Sequence, residues 1–585
     1  MKHFLHKLFL AVLLATGSIC ESVAVAAPFE VNGIFYEILS EADMTVQVCV
    51  PNAKPSNWYT YFSGMLNIPA TIAYEGKTYT VEAIKHETFQ GQRALTSVVI
   101  PKTVKTIGYR AFKGITGLKT IVFASDGALT TIEHEAFESS SISSLALPGS
   151  LTYIGEDAFK YCESLKSIRG GESLETLDKN AFQGCISLTE YTCPPKLKTI
   201  GDNAFWNCKS LRTVTMNDGL ETIGNNAFLQ CSVLENVNMG NTVKKIGWEA
   251  FRWCLNLNHI EIPNSVVDMD YGTFRFCTGL ESIKLSNSLT KIPSLCFEQT
   301  AITSIDIPDG VNIIMPYAFQ DCASLTTIHW GRSLETIGDN AFLGTAIKTL
   351  ELPEPLKEIG GAAFAKCQSL TKVTIPSTVI KITDAAFSEC SQLKEVNCLA
   401  ITPPQIPYTN IPFSLCDNPV NVHIYEGLKG DYESSIGWSE AIQKNVVILI
   451  DDLPALKATS ITIDQAEYFC AVGASGQATA TIQPTNVYTH ELSWSSSDET
   501  VLYIDEFTGM FVGLGEGTVT ITATATDGSG VSATATVHVG TGAAVVSPVV
   551  GIRMPSAIYN LQGQQLQAPR KGINVINGKK VVIAN

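Results

Sequence analysis

From about residue 80 to residue 400, apolar positions recur in a fixed order along the chain. One unit reads Leu211, Val214, Met216, Leu220, Ile223, Gly224, Ala227, Phe228 and Cys231, with polar residues between. Leu-x-x-Val-x-Met alternates with period two, which predicts a short strand with one face in a core. A proline often follows, at Pro101, Pro148, Pro263, Pro308, Pro353 and Pro376. Without an amide donor it cannot continue a ladder, so the strand is expected to stop there. The second half, Ile-Gly-x-x-Ala-Phe-x-x-Cys, spaces Ala and Cys four apart with Phe beside Ala, the apolar face of one helical turn. Asp202, Asn225, Asp339 and Asp384 stand three residues before their Phe, where an N-cap side chain would satisfy free amides.

Phenylalanine marks the period, about 23 residues, at Phe89, Phe112, Phe137, Phe159, Phe182, Phe205, Phe228, Phe251, Phe274, Phe297, Phe319, Phe342, Phe364 and Phe387. A period this short means stacked units, so the fold class is a repeat solenoid of parallel β-strands and short helical turns. About 14 repeats fill residues 81–400. A solenoid needs its open ends covered. Residues 28–80 lack the Ala-Phe unit and carry hairpin signals at Asn32-Gly33 and Glu75-Gly76, as an N-terminal cap would. Thr402-Pro403-Pro404 breaks the rhythm, and 401–455, with Tyr432 and Trp438, reads as the C-terminal cap. From 456 to 540 Thr, Ala, Val and Gly alternate with period two, the sign of a small all-β sandwich.

The repeat resembles the BspA-like leucine-rich repeat family, whose hallmark appears as Leu370 to Pro376 and Ile223 to Cys231. The resemblance implies a leucine-rich-repeat superhelix and adhesion or partner binding at a cell surface, and it brings no catalytic residues. Trp494-Ser495-Ser496-Ser497, Gly509 and Gly515-Glu516-Gly517-Thr518 resemble the bacterial Ig-like group 2 domain, with Trp494 as its core tryptophan. Residues 541–585 read as a linker and tail. Ile558 to Gly563, Lys571-Gly572-Ile573 and Asn577 to Val581 resemble C-terminal sorting segments of Bacteroidota, which implies type IX secretion or surface attachment.

Composition narrows the partners. Lys2, His3, His6 and Lys7 before the apolar run Leu8–Ala15, then Ala24, Ala26 and Ala27, predict an export signal over 1–27. Ile19 ahead of Cys20 is too bulky for lipoprotein processing. No later run approaches the roughly 20 apolar residues of a membrane span. A net charge of −16 with no Lys/Arg block argues against nucleic acid and anionic membranes as partners. The histidines His86, His134, His259, His329, His423, His490 and His538 are scattered, and no His-x-x-x-His or Gly-x-Ser-x-Gly occurs. The chain is therefore expected to be neither an enzyme nor a cofactor protein.

Nine cysteines follow a repeat Phe by three: Cys162, Cys185, Cys208, Cys231, Cys254, Cys277, Cys322, Cys367 and Cys390. After Phe137, Phe297 and Phe342 the Cys is missing and the next apolar residue (Ile142, Ile302, Ile347) comes one position early. A metal site lacks its Cys-x-x-Cys. Disulfides fit an exported chain but not side chains that project in parallel. Buried free thiols acting as small hydrophobes remain the third reading.

Two adjacent repeats depart from the rule. Trp248, Arg252 and Trp253 face Tyr271, Arg275 and Phe276 at equivalent positions one coil apart, with Trp206 as an extension. Trp248 and Tyr271 replace the expected cap residue, at a cost of about 0.5–2 kcal/mol. Tyr, Trp and Arg are also enriched where interfaces bind tightest. Either this patch contacts a partner, or the rings fold over neighbouring turns and seal the core. The expectation is a monomeric, exported surface or extracellular adhesin that binds a host-matrix or microbial protein. The alternative is surface glycan capture.

Overall fold

The structure of the protein, a computed structural model, describes residues 27–407, 411–425, 428–450, 457–483 and 491–540, and strands within 558–583. The expected leader up to residue 26 and the linker over 541–557 lie outside the described residues. The chain divides into two compact units. One runs to Lys348 and adds Ile359–Ser369 and Ala385–Glu389; the other holds Thr349–Glu358, Leu370–Asp384 and everything from Cys390.

In the first unit each coil contributes two strands. The outer strand carries the period-two residues: Thr213–Thr215 pairs in parallel with Glu190–Thr192 and Asn236–Asn238, and Val214 meets Tyr191 and Val237. The inner strand is two residues long, and Thr222–Ile223 lies between Thr199–Ile200 and Lys245–Ile246. Equivalent residues therefore stack in columns, one per coil. The phenylalanines form one such column, fully buried, with ring centroids from 5.0 to 5.8 Å apart and near-parallel planes. Truncating one such ring to Ala is worth about 3–5 kcal/mol.

The Ala-Phe segment is a run of hydrogen-bonded turns rather than a regular helix. Residues two before and two after the Phe are left-handed, as at Asn203 (φ 56°) and Asn207 (φ 62°), or Asn226 and Gln230. This conformation suits Asn and interrupts any helix. It also turns alternate amides outward: Asn203, Phe205 and Asn207 donate to Asn225, Ala227 and Leu229 of the next coil, each at 2.8 Å. Ala and Cys four apart thus face one core without a helical ladder.

The strands end before the prolines as expected, and the prolines act sideways as well. Gly171 donates its amide to the Leu147 carbonyl of the coil before, at 3.2 Å. Proline at that position cannot. Within this unit the outer ladder is interrupted ahead of the strands Ser144–Leu147, Glu190–Thr192, His259–Glu261 and Ser304–Asp306. Pro148, Pro194, Pro263 and Pro308 stand at that position in those four coils.

The hairpins Phe29–Val31/Ile34–Ser40 and Thr71–Tyr74/Lys77–Ile84 form at the two expected turns, with Asn32 and Glu75 left-handed beside their glycines. Lys77–Ile84 pairs in parallel with the inner strand Thr106–Ile107, and Phe62 meets Phe89 edge-on at 5.1 Å, so the first coil is covered.

In the second unit Lys372–Ile375, Glu395–Cys398, Val420–Ile424 and Val446–Ile450 continue as parallel strands. Two short helices, Lys429–Ser434 and Trp438–Lys444, bring in Tyr432 and Trp438. Both rings are fully buried; Tyr432 donates to the Ala400 carbonyl at 2.8 Å and Trp438 to that of Pro404 at 2.9 Å. In 457–483 and 491–540 every regular element is a β-strand, with Trp494 in a core that includes Tyr468, Phe511 and Ile521. Gly509 (φ +73°) passes over that ring, where a Cβ would come within 2.9 Å of it. The tail strands Gln565–Leu566, Ile558–Asn560, Gly572–Ile576 and Lys579–Ile583 pair in that order as an antiparallel sheet.

Candidate functional site

The site begins with how one coil satisfies the next. Where Asp202 and Asn225 stand three residues before their Phe, the side chain serves the following coil rather than its own: Asp202 Oδ1 accepts the Asn225 amide at 2.6 Å, and Asn225 Oδ1 accepts that of Trp248 at 3.1 Å. Asp339 accepts the Gly361 amide in the same way, at 2.6 Å. Trp248 cannot pass this on. The Tyr271 amide is instead taken by Asp270, its own neighbour, at 2.8 Å. The cost expected for losing a cap is therefore not incurred, because Asp270 stands where the preceding coils have Gly201, Gly224 and Gly247. That leaves the two aromatic side chains free of a backbone duty. Trp248 is 51% exposed and Tyr271 39%, and neither pairs with another ring among the described residues.

In the next two columns the side chains pack and pair with one another, although the Arg252 Nε is buried without a hydrogen-bond partner. Trp253 and Phe276 stack at 5.8 Å, both on left-handed backbone. The Arg252 guanidinium lies 4.0 Å from the Trp253 ring centre and 5.3 Å from that of Phe276, and Arg275 lies 4.6 Å from Phe276. Glu249 receives Arg252 Nη1 on both oxygens at 2.8 Å, and Glu298, almost wholly buried, receives Arg275 Nε. Arg275 Nη1 also reaches Glu249 at 3.9 Å. Glutamate and arginine thus alternate between coils, each cation flat against an aromatic face, an arrangement that holds planar guanidinium well. Neither Glu249 nor Glu298 stands out in the sequence, although Glu298 shares the column of Arg252 and Arg275 and Glu249 follows Trp248 directly. Trp206 lies apart: half-buried, two coils earlier in the Arg252 column, it donates to Gln230 Oε1 at 3.2 Å.

The same two coils carry a polar groove on their outer strands. Asn236–Asn238 and His259–Glu261 do not pair, and the gap opens a groove of about 630 Å³ bordered by Asn238, His259, Glu261 and Lys284. His259 is engaged by Ser282 at 2.8 Å, and Lys284 by Glu261 at 3.8 Å.

The thiols offer no nucleophile. Burial pushes Cys162, Cys231 and Cys277 up to about 12, so each holds its proton. All fifteen described cysteines are buried. Among the described residues no three His, Cys, Asp or Glu side chains converge as a metal site requires, and no helix is long and apolar enough to cross a membrane.

The model of the BspA type leucine rich repeat region matches in six copies over residues 82–212, 198–326 and 312–409, and that of the bacterial Ig-like domain (group 2) over 457–537. Among solved structures, a leucine-rich repeat protein from Bacteroides ovatus is 28% identical over 63% of this chain and 94% of its own, with a TM-score of 0.48. A leucine rich cell surface protein from Faecalibacterium prausnitzii is 23% identical over 63% and 94%, with a TM-score of 0.34. The pneumococcal vaccine antigen PcpA is 20% identical over 73% and 100%, with a TM-score of 0.33. No curated protein matches the chain.

Proposed function

We propose, from the premise that the chain belongs to the BspA type leucine-rich repeat family, that it is an exported, surface-held or released adhesin whose repeat body binds an extracellular protein. Leucine-rich repeats and bacterial Ig-like domains are typically non-enzymatic binding folds, and the chain carries both. The observation that carries the reading is the pair Trp248 and Tyr271, exposed side by side on adjacent coils and anchored by a backbone whose hydrogen bonds are met elsewhere. Large rigid aromatics of this kind dominate interface energetics at little entropic cost. Arg252, Trp253, Arg275 and Phe276 act in this reading as the rigid seat of the pair, with Trp206 at its margin. The Ig-like domain serves as spacer and the tail as attachment or sorting segment.

The same two rings suit stacking on a sugar, which sustains the glycan alternative. Immobilised host-matrix proteins and a glycan array separate the two. The adhesin reading expects saturable binding to a matrix protein or to cells of a neighbouring bacterium, with a blank array. Array signal lost in Trp248→Ala with no protein captured would establish glycan binding instead.

A further inference from the structure

The gaps in the outer ladder leave a mark on the core. The middle inward residue of the outer strand is buried where the next coil pairs, as at Leu145, Val214, Ile260 and Ile305. Ahead of three of the four gaps in the first unit it is only half-buried, at Ile168, Val237 and Ile283. A gap therefore opens an apolar side chain to the surface. At Val237 it widens into the groove of about 630 Å³, where Pro263 has no amide to donate across it and the Met239 amide finds no backbone acceptor.

The rim of this groove supplies the second observation. From Leu95 to His329 the outward positions of the outer strands hold asparagine only at 236 and 238. Asn258 stands on the other side, in the next coil, and all three are exposed. The side chains of Asn236 and Asn258 form no hydrogen bond among the described residues, and Asn238 engages only its oxygen, on the Gly240 amide at 3.1 Å. The charged residues of the groove are matched within the protein: Glu235 holds Arg212 at 2.6 Å and Glu261 lies 3.8 Å from Lys284. What remains unmatched is a set of neutral amides around an apolar side chain.

A primary amide presents a donor and an acceptor together, the complement of a peptide group. Residues two apart on a strand stand about 6.6–6.8 Å from each other, which is also the repeat of the peptide groups along one edge of an extended chain. We propose that the groove binds an extended, uncharged peptide segment of the partner protein. Asn236 and Asn238 read its main chain on one side and Asn258 on the other, and one apolar side chain rests on Val237. Main-chain hydrogen bonds supply the affinity in such complexes and the side-chain seat the selectivity. The proposal rests on the reading of the repeat body as a protein binder, and adds a contact apart from Trp248 and Tyr271.

The heptapeptide Ser-Ala-Ser-Val-Ser-Ala-Ser, acetylated and amidated, tests this by titration into the full chain with ligand-observed NMR. Saturable binding with a Kd of about 1 mM or below is expected. The same peptide N-methylated at its three central residues lacks the donors of both edges there and should not bind. Asn236→Ala/Asn238→Ala should weaken the parent peptide about tenfold at an unchanged unfolding midpoint, since both side chains face solvent. Thr213→Ala/Thr215→Ala, at the equivalent positions one coil earlier where the strands pair, should leave it unchanged. No saturable binding, equal binding of the N-methylated peptide, or equal affinity in the asparagine variant would overturn the proposal, and so would an equal loss in the threonine variant. Capture of a partner through Trp248 and Tyr271 is read in a separate assay, so the two readings fail separately.

Discussion

Cys231 Sγ donates to the Phe205 carbonyl oxygen at 3.2 Å, and that oxygen already accepts the Cys208 amide at 3.1 Å. The contact repeats from Cys162 on Phe137 to Cys367 on Phe342, so each thiol supplies a second donor to the phenylalanine carbonyl one coil back. Where Cys is missing after Phe137, Ser140 does the same work on the Phe112 carbonyl at 2.8 Å. The small-hydrophobe reading was thus right about burial and incomplete about chemistry. Its clue was Ser140, Thr300 and Thr345 at the vacated positions. Cys231→Ser is expected to be nearly neutral in urea unfolding, and Cys231→Ala to cost about 1–2 kcal/mol through the lost donor and small void. The thiols also set an alkaline limit. Buried Cys162, Cys231 and Cys277 titrate near 12 against an ordinary value of 9.0. Above pH 9 the unfolded chain sheds protons the native one keeps, so their stabilisation is complete below pH 9 and lost as pH rises towards 12. Unfolding midpoints at pH 7, 9 and 10.5 should fall only across the last interval.

The strand was legible because period two survives wherever one face is buried, from Val98 to Val396. The helical turn was not, since left-handed residues such as Asn203 and Gln230 leave the spacing of Ala and Cys unchanged while redirecting their amides. Proline proved readable in a way that its role as strand terminator concealed: the coils of Pro148, Pro194, Pro263 and Pro308 fail to pair with the coil before, although those of Pro101 and Pro376 do pair. Hydrogen exchange should register this. Met216 and Ile262 amides donate to Asn238 and Lys284 carbonyls at 2.8 Å, whereas those of Met239 and Leu285, just ahead of the Pro263 and Pro308 coils, have no backbone acceptor among the described residues. Met239 and Leu285 are expected to exchange at least about tenfold faster than Met216 and Ile262. Equal protection would mean that the gaps close in solution.

The chain as a whole is a repeat body with an Ig-like domain, and both were visible in sequence because each rests on a pattern reiterated many times. The proposed patch was half visible. Its residues could be picked out as departures from the repeat, but not that Glu249 and Glu298 engage Arg252 and Arg275, nor that Asp270 frees Trp248 and Tyr271 to face solvent. Glu298 reaches Arg275 from the next coil, while Glu249 and Asp270 act within their own coils, contacts that a column of letters shows only when its neighbours are read with it. The measurement closest to the proposed function is the affinity of Trp248→Ala/Tyr271→Ala for a captured matrix or bacterial-surface protein, with unfolding followed in parallel. Exposed aromatics at an interface centre predict a loss of at least 2 kcal/mol, about thirtyfold in Kd, at an unchanged unfolding midpoint. Unchanged affinity in a folded double variant would contradict the account.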